Sequence, residues 1–344
     1  MANLMTMLAC HGWGVTAMLV LWGVSQASGC GRVGFQAADA ASRDAGGADA
    51  PAADAAPDAA AADGGPIDGG SEDSGAAPDG GLLGPFGSPT LVARLSDPVA
   101  DDDDPTLTSD MLEIYFDSDR GSPGRGDVWM SRRTSLTDPW DPPWNVTELN
   151  TSSDESAPEV SGDGLTIYVA SDRPSAIGGR DIYVSTRSSR AFVWGTPERV
   201  AELSSSAGDE AAVVSADGLT VYFGSDRLGS SDLFVAVRAS AGAAWGAPTV
   251  MTGLSTADGE TAPFISRDGL HLLFQSDRPG GAGGKDIWIA SITVPMEAFV
   301  DPTPVVEVNS PVTDSDPWLS DDRRTLYFSS YRAGGDQNIF VVTR

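Results

Sequence analysis

Histidine and cysteine are almost missing from this chain. Its 344 residues hold two of each: His11 and His271, Cys10 and Cys30. No cysteine follows residue 30, so whatever folds downstream is held without a disulfide. One downstream histidine excludes a His-rich metal centre. A single downstream histidine, with no cysteine beside it in the repeats, also argues against a Ser-His-Asp or Cys-His catalytic unit. Positive charge is scarce as well: 21 Lys and Arg stand against 49 Asp and Glu, a net charge of −28. Phosphate backbones and anionic membranes are bound by clustered Lys and Arg, so neither nucleic acid nor a membrane surface is an expected partner. Long apolar runs are lacking too. The stretch 15–24 is apolar but too short to span a bilayer.

What is present begins with an export pattern. The apolar stretch leads into Ser25-Gln26-Ala27-Ser28-Gly29-Cys30, which reads as a secretory signal over residues 1–29. Small residues directly before a cysteine resemble the bacterial lipobox. That resemblance implies lipidation of Cys30, and Gly31 in place of Asp implies the outer membrane. The expected location is therefore an anchored lipoprotein facing the periplasm or the cell surface, touching membrane only through its lipid. Residues 30–82 are almost wholly Ala, Asp, Gly, Pro and Ser. Such a segment cannot bury enough apolar surface to offset its ordering entropy, so a disordered tether is expected there.

From residue 83 onward the chain repeats itself. The signature is S-D-R, a glycine-rich loop, then D-I-Y-V-S. It recurs at Ser118-Asp119-Arg120, Ser171-Asp172-Arg173, Ser225-Asp226-Arg227, Ser276-Asp277-Arg278 and, altered, Ser330-Tyr331-Arg332. The arginines are 53, 54, 51 and 54 residues apart. Each copy opens on an aromatic anchor (Phe86, Trp140, Trp194, Trp245, Phe299) with Pro three residues on. An Asp-Gly turn such as Asp163-Gly164 supplies the positive φ of a tight hairpin. An apolar strand such as Ile167-Tyr168-Val169 then runs into S-D-R. Repeats of this length, built from short strands and turns, predict an all-β five-bladed β-propeller of four-stranded antiparallel blades. The repeats run over about 86–139, 140–193, 194–244, 245–298 and 299–344. The last copy lacks a closing anchor strand, so the N-terminal strand at 89–95 is expected to complete its blade.

These motifs resemble the TolB-type, WD40-like β-propeller repeat, whose pattern is an S-x-D-G turn, Y-F-x-S-D-R, a glycine loop and D-I-Y-V. All five copies share it, over about three quarters of the chain.

Candidate site residues follow from the register. Eight residues before each turn Asp stands an acid: Asp102, Glu155, Asp209, Glu260 and Asp314. They begin the innermost strands and are expected to ring one mouth of the channel. Arg120, Arg173, Arg227, Arg278 and Arg332 fall on the same face, so a structural ring of acid–arginine pairs joining blades is the plainer expectation. A cation or ligand site at that mouth is the functional one. Asp101, Asp102, Asp103 and Asp104 form a run beyond what the repeat needs. Oxygen ligands of this kind suit Ca²⁺, although such a run is commonly a solvated loop; no other cofactor is expected. Trp129 and Trp288 align with Tyr183 and are expected in the core. Trp318 lies on an inner strand, facing either the channel or a neighbouring blade.

The favoured reading is a non-catalytic binding or scaffold lipoprotein of the bacterial envelope, whose partner is an envelope protein or glycan. Five equivalent acids offer no unlike pair for catalysis. The alternative is a carbohydrate-active or metal-dependent enzyme using carboxylates at the channel mouth.

Overall fold

A computed structural model describes residues 84–344 apart from 123, 295 and 296. The expected signal peptide, Cys30 and the tether lie outside these residues. Twenty strands, numbered in chain order, make five four-stranded antiparallel sheets. The first, β1 (Thr90–Leu91), is an outer strand, and the other outer strands are β5 (Trp144–Asn145), β9 (Glu198–Arg199), β13 (Thr249–Val250) and β17 (Thr303–Pro304). The inner strands are β2 (Asp102–Leu107), β6 (Glu155–Val160), β10 (Asp209–Val214), β14 (Glu260–Ile265) and β18 (Asp314–Leu319). Next outward come β3 (Glu113–Ser118), β7 (Thr166–Ser171), β11 (Thr220–Ser225), β15 (His271–Ser276) and β19 (Thr325–Ser330). Then follow β4 (Asp127–Arg132), β8 (Asp181–Thr186), β12 (Asp232–Val237), β16 (Asp286–Ser291) and β20 (Asn338–Thr343).

Each sequence repeat is offset from its blade by one strand. The anchor strand of a repeat closes the blade before it, so blade one is β2-β3-β4-β5. Blade five takes β1 as its outer strand, with Thr90 opposite Val341 and Leu91 opposite Phe340. The inner strands neighbour one another in order, and β18 returns to β2. The chain therefore forms a closed five-bladed propeller, as the repeat spacing predicts.

Two devices hold neighbouring blades together. The first is apolar packing: Leu95, Leu149, Leu203, Leu254 and Val308 on the connectors are all fully buried. The anchors Trp140, Trp194 and Trp245 are buried beside them, each under an arginine 4.1–4.3 Å from its ring. The second is close backbone approach at the glycine loops. A Cβ on Gly178 would lie 2.3 Å from the carbonyl oxygen of Ala207, and one on Gly283 would lie 2.4 Å from the backbone of Pro311. Only glycine lets those loops touch the next blade's connector.

Candidate functional site

The five acids that begin the inner strands are fully buried and line neither mouth of the channel. Each is enclosed by its own repeat. One oxygen takes the S-D-R arginine: Arg173 to Glu155 at 3.2 Å, Arg227 to Asp209 at 2.5 Å, Arg278 to Glu260 at 3.1 Å, with Arg120–Asp102 and Arg332–Asp314 alike. The S-D-R serine donates to that same oxygen at 2.5–2.9 Å in blades two to five. The other oxygen accepts a connector N–H, from Asp97, Thr151, Ser205, Thr256 or Ser310. The arginine also donates to the carbonyl of Leu95, Leu149, Leu203, Leu254 or Val308. The ion pair thus closes within a blade, and the arginine reaches on to the connector arriving from the blade before. Both oxygens of each buried carboxylate are hydrogen-bonded, which is what makes its burial tolerable.

The channel itself is built two residues further on. Each inner strand carries a bulge, with register breaks between Asp103 and Thr106, Ser156 and Glu159, Glu210 and Val213, Thr261 and Phe264, and Ser315 and Trp318. At each break one residue sits at positive φ: Asp104 at 51°, Ala157 at 46°, Ala211 at 53°, Ala262 at 48° and Asp316 at 53°. A bulge re-aims the side chain it carries. Blades two, three and four present alanine at this position, and Ala157, Ala211 and Ala262 cluster with Ala170. Blades one and five present carboxyls. The waist of the channel therefore has an alanine side and an acidic side.

Above the waist lies a cavity of about 400 Å³. Asp103, Asp104, Asp117 and Asp316 line it on the acidic side, and Glu210, Arg180, Gln275, Lys285, Gln337 and Tyr331 complete a mainly polar wall. One oxygen each of Asp103, Asp104 and Asp117 lies within 4.8 Å of the others, the one grouping of this kind among the described residues. Burial, together with the charges of their acidic neighbours, pushes all four carboxyls up, Asp117 and Asp316 well above the ordinary range. Glu210 has a cation beside it, the Arg180 guanidinium at 3.6 Å. Arg180 is held in turn by Asp154, with its Nε at 3.1 Å.

Below the waist a second cavity, of about 470 Å³, opens to the other mouth. Its walls include Tyr168, Val213, Phe264 and Trp318. Trp318 is only 5% exposed and packs on Phe264 and Tyr327 at 6.0 and 6.2 Å. Glu159 is the acid of this wall nearest the waist. It accepts a hydrogen bond from Thr106 at 3.1 Å, and burial raises it to about 8. Trp288 is buried in the core, and Trp129 packs partly buried against it.

The aspartate run splits by position. Asp101 accepts from the Gln337 N–H at 2.6 Å, Asp102 pairs with Arg120, and Asp103 and Asp104 face the cavity. Asp117, Asp316, Glu159 and Glu210 did not stand out in a search for residues that recur. Comparing copies finds them: Asp117 stands where others have Ala170, Gly224, Gln275 and Ser329, and Asp316 where three have alanine.

No family model and no curated protein matches this chain. Solved structures resemble it in fold. TolB from Acinetobacter baumannii is 18% identical with a TM-score of 0.44, over 70% of this chain and 54% of its own. An alpha-L-arabinofuranosidase from Lactobacillus brevis is 14% identical with a TM-score of 0.51, over 73% and 93%. An endo-arabinase from Bacteroides thetaiotaomicron is 16% identical with a TM-score of 0.48, over 71% and 93%. The chain spans about half the length of that TolB.

The non-catalytic scaffold favoured from sequence is corrected here, and with it the expectation that the chain is not an enzyme. Both rested on five equivalent acids. Those five are spent on framework, the channel holds a second and unequal set, and structures of this fold include glycoside hydrolases.

Proposed function

We propose that the chain is a carbohydrate-active hydrolase that cleaves glycosidic bonds in the upper cavity. One observation carries the reading. At the waist, where three blades present alanine, two adjacent blades present Asp104 and Asp316, and the cavity above them holds carboxylates in unlike settings. Glycoside hydrolysis asks for such a pair: one carboxyl protonates the departing oxygen, and the other directs water to, or attacks, the anomeric carbon. The anomeric C–O bond breaks, and the hydroxyl of water ends on that carbon. Asp316, among other carboxyls, and Glu210, beside Arg180, are the unlike pair. The amides of Gln275 and Gln337 and the ammonium of Lys285 give the wall groups that suit a ligand rich in hydroxyls. A cavity of about 400 Å³ is of small-ligand size.

The fold shared with the arabinofuranosidase makes α-L-arabinofuranosides the first substrates to try. The assay is release of aryl or reducing sugar from a panel of arabinosides, xylosides and their polymers. Asp316→Asn and Glu210→Gln should each lower kcat by about 10²-fold or more, with the melting temperature unchanged or raised. A wild-type protein inactive across the panel refutes the reading.

The repeats, with their S-D-R and D-I-Y-V signatures, support membership in the TolB-type repeat group. The sequence before them supports export and a lipid on Cys30, bringing the domain to envelope glycans or a protein that carries them. Metabolic labelling with a palmitate analogue, lost in Cys30→Ala, tests the anchor.

A further inference from the structure

We propose that the acidic corner of the upper cavity binds one divalent cation of the Ca²⁺ class, held by Asp103, Asp104 and Asp117 with the Ser156 hydroxyl beside them. The three carboxylates converge to within 4.8 Å. The enclosed Oδ1 of Asp117, in a residue 8% exposed, has no hydrogen-bond partner. A buried carboxylate oxygen left in that state is costly unless something positive fills the space.

Ser156 is a second and separate sign. It is not part of the acidic group, is 7% exposed, lines the same cavity, and its Oγ has no partner. Gly126 fixes its place: a Cβ there would stand 3.0 Å from both Asp117 Oδ2 and the carbonyl oxygen of Glu155. Strand β6 thus passes Asp117 at the residue just before Ser156. Two unpartnered oxygens, one acidic and one neutral, belong to residues that line one cavity.

The framework does not need these groups. At the Asp103 position other blades carry Ser156, Glu210, Thr261 and Ser315, and at the Asp117 position they carry no acid. The donor set is all oxygen, which selects a hard cation over zinc or copper. Three carboxylates and a hydroxyl leave room for waters to complete six to eight ligands. Of the two cations lining the cavity, Arg180 is engaged by Asp154 and Glu210. Lys285, on an exposed loop, is the rival counter-ion.

The site goes beyond the hydrolase reading and is tested without substrate, so either can fail alone. EDTA-treated full chain is titrated with CaCl₂ by calorimetry, and with Tb³⁺ followed by luminescence. One Ca²⁺ per chain is expected, with Kd on the order of 10⁻⁵ M and Mg²⁺ at least about tenfold weaker. Asp117→Asn should weaken binding at least about tenfold and Ser156→Ala severalfold, while Glu159→Gln at the other mouth leaves Kd within about twofold. Ser156→Ala leaves every charge in place and guards against a folding failure of the aspartate variant. Absence of saturable binding overturns the proposal, as does binding that appears only in Lys285→Ala, which would make Lys285 the resident counter-ion. Binding that survives both Asp117→Asn and Ser156→Ala also overturns it.

Discussion

Glu159→Gln should make the protein more stable in alkali and leave it unchanged in acid. The side chain sits just below the waist, hydrogen-bonded to Thr106, with the charge of Asp316 within reach across the channel. Burial raises its carboxyl from an ordinary 4.5 to about 8, and Asp316 adds to the rise. The unfolded chain releases this proton near 4.5, whereas the folded one keeps it to about 8. Between those values the native state binds more protons, so its stability falls as pH rises. The contribution is fully present below about 4.5 and is gone above about 8. At about 1.4 kcal/mol per tenfold, the whole displacement is worth at most about 5 kcal/mol. Glu159 is partly open to the lower cavity, and solvent there reduces the figure to about 2 kcal/mol. Glutamine keeps an acceptor for Thr106 and carries no charge to bury. The assay is thermal or urea unfolding of wild type and variant at pH 5 and pH 8.5. The variant should gain about 4–8 °C at pH 8.5 and about nothing at pH 5. An equal gain at both values would mean that packing rather than charge is responsible, and the reasoning would fail.

The framework makes three further predictions. Arg173→Ala strands the fully buried Glu155 carboxylate and frees the Leu149 carbonyl; urea unfolding should show a loss of about 3–5 kcal/mol. Deleting residues 86–96 removes β1, the connector Leu95 and the N–H of Val92 that bonds to Ile339. The truncated chain should lose its cooperative melt, and a soluble product with a sharp transition would refute closure by this strand. Gly178→Ala drives a methyl into the carbonyls of Ser205 and Ala207. The blades must shift to admit it, at about 1–3 kcal/mol by the same unfolding assay, whereas Gly242→Ala, in open space, should cost well under 1 kcal/mol.

How far such a chain can be read depends on what repetition reports. Anchors, Asp-Gly turns and S-D-R recur because every blade must solve the same packing problem, so strands, blade count and closure were legible from spacing alone. The acids eight residues before each turn were legible as a ring for the same reason. Their burial was not, because an acid in a sequence looks solvated until the serine, arginine and N–H that enclose it are seen to converge. The bulges were hidden as well. Nothing in the alternation of β2 or β18 says that Asp104 and Asp316 take positive φ and turn into the channel, although proline after the bulge residue in four of the five copies (Pro105, Pro158, Pro263 and Pro317) marks where ladder hydrogen bonds are given up. A ring of five identical groups presents the same face to every side, so it cannot by itself distinguish acid from base, or an occupied corner from an empty one. Those distinctions require unlike neighbours. In this molecule unlike neighbours occur where the copies disagree: Asp104 and Asp316 against three alanines, Asp117 against alanine, glycine, glutamine and serine, and Glu159 against threonine, valine, phenylalanine and tryptophan. Constancy between copies marks what holds the blades together, and its loss at three register positions marks where the proposed chemistry would sit.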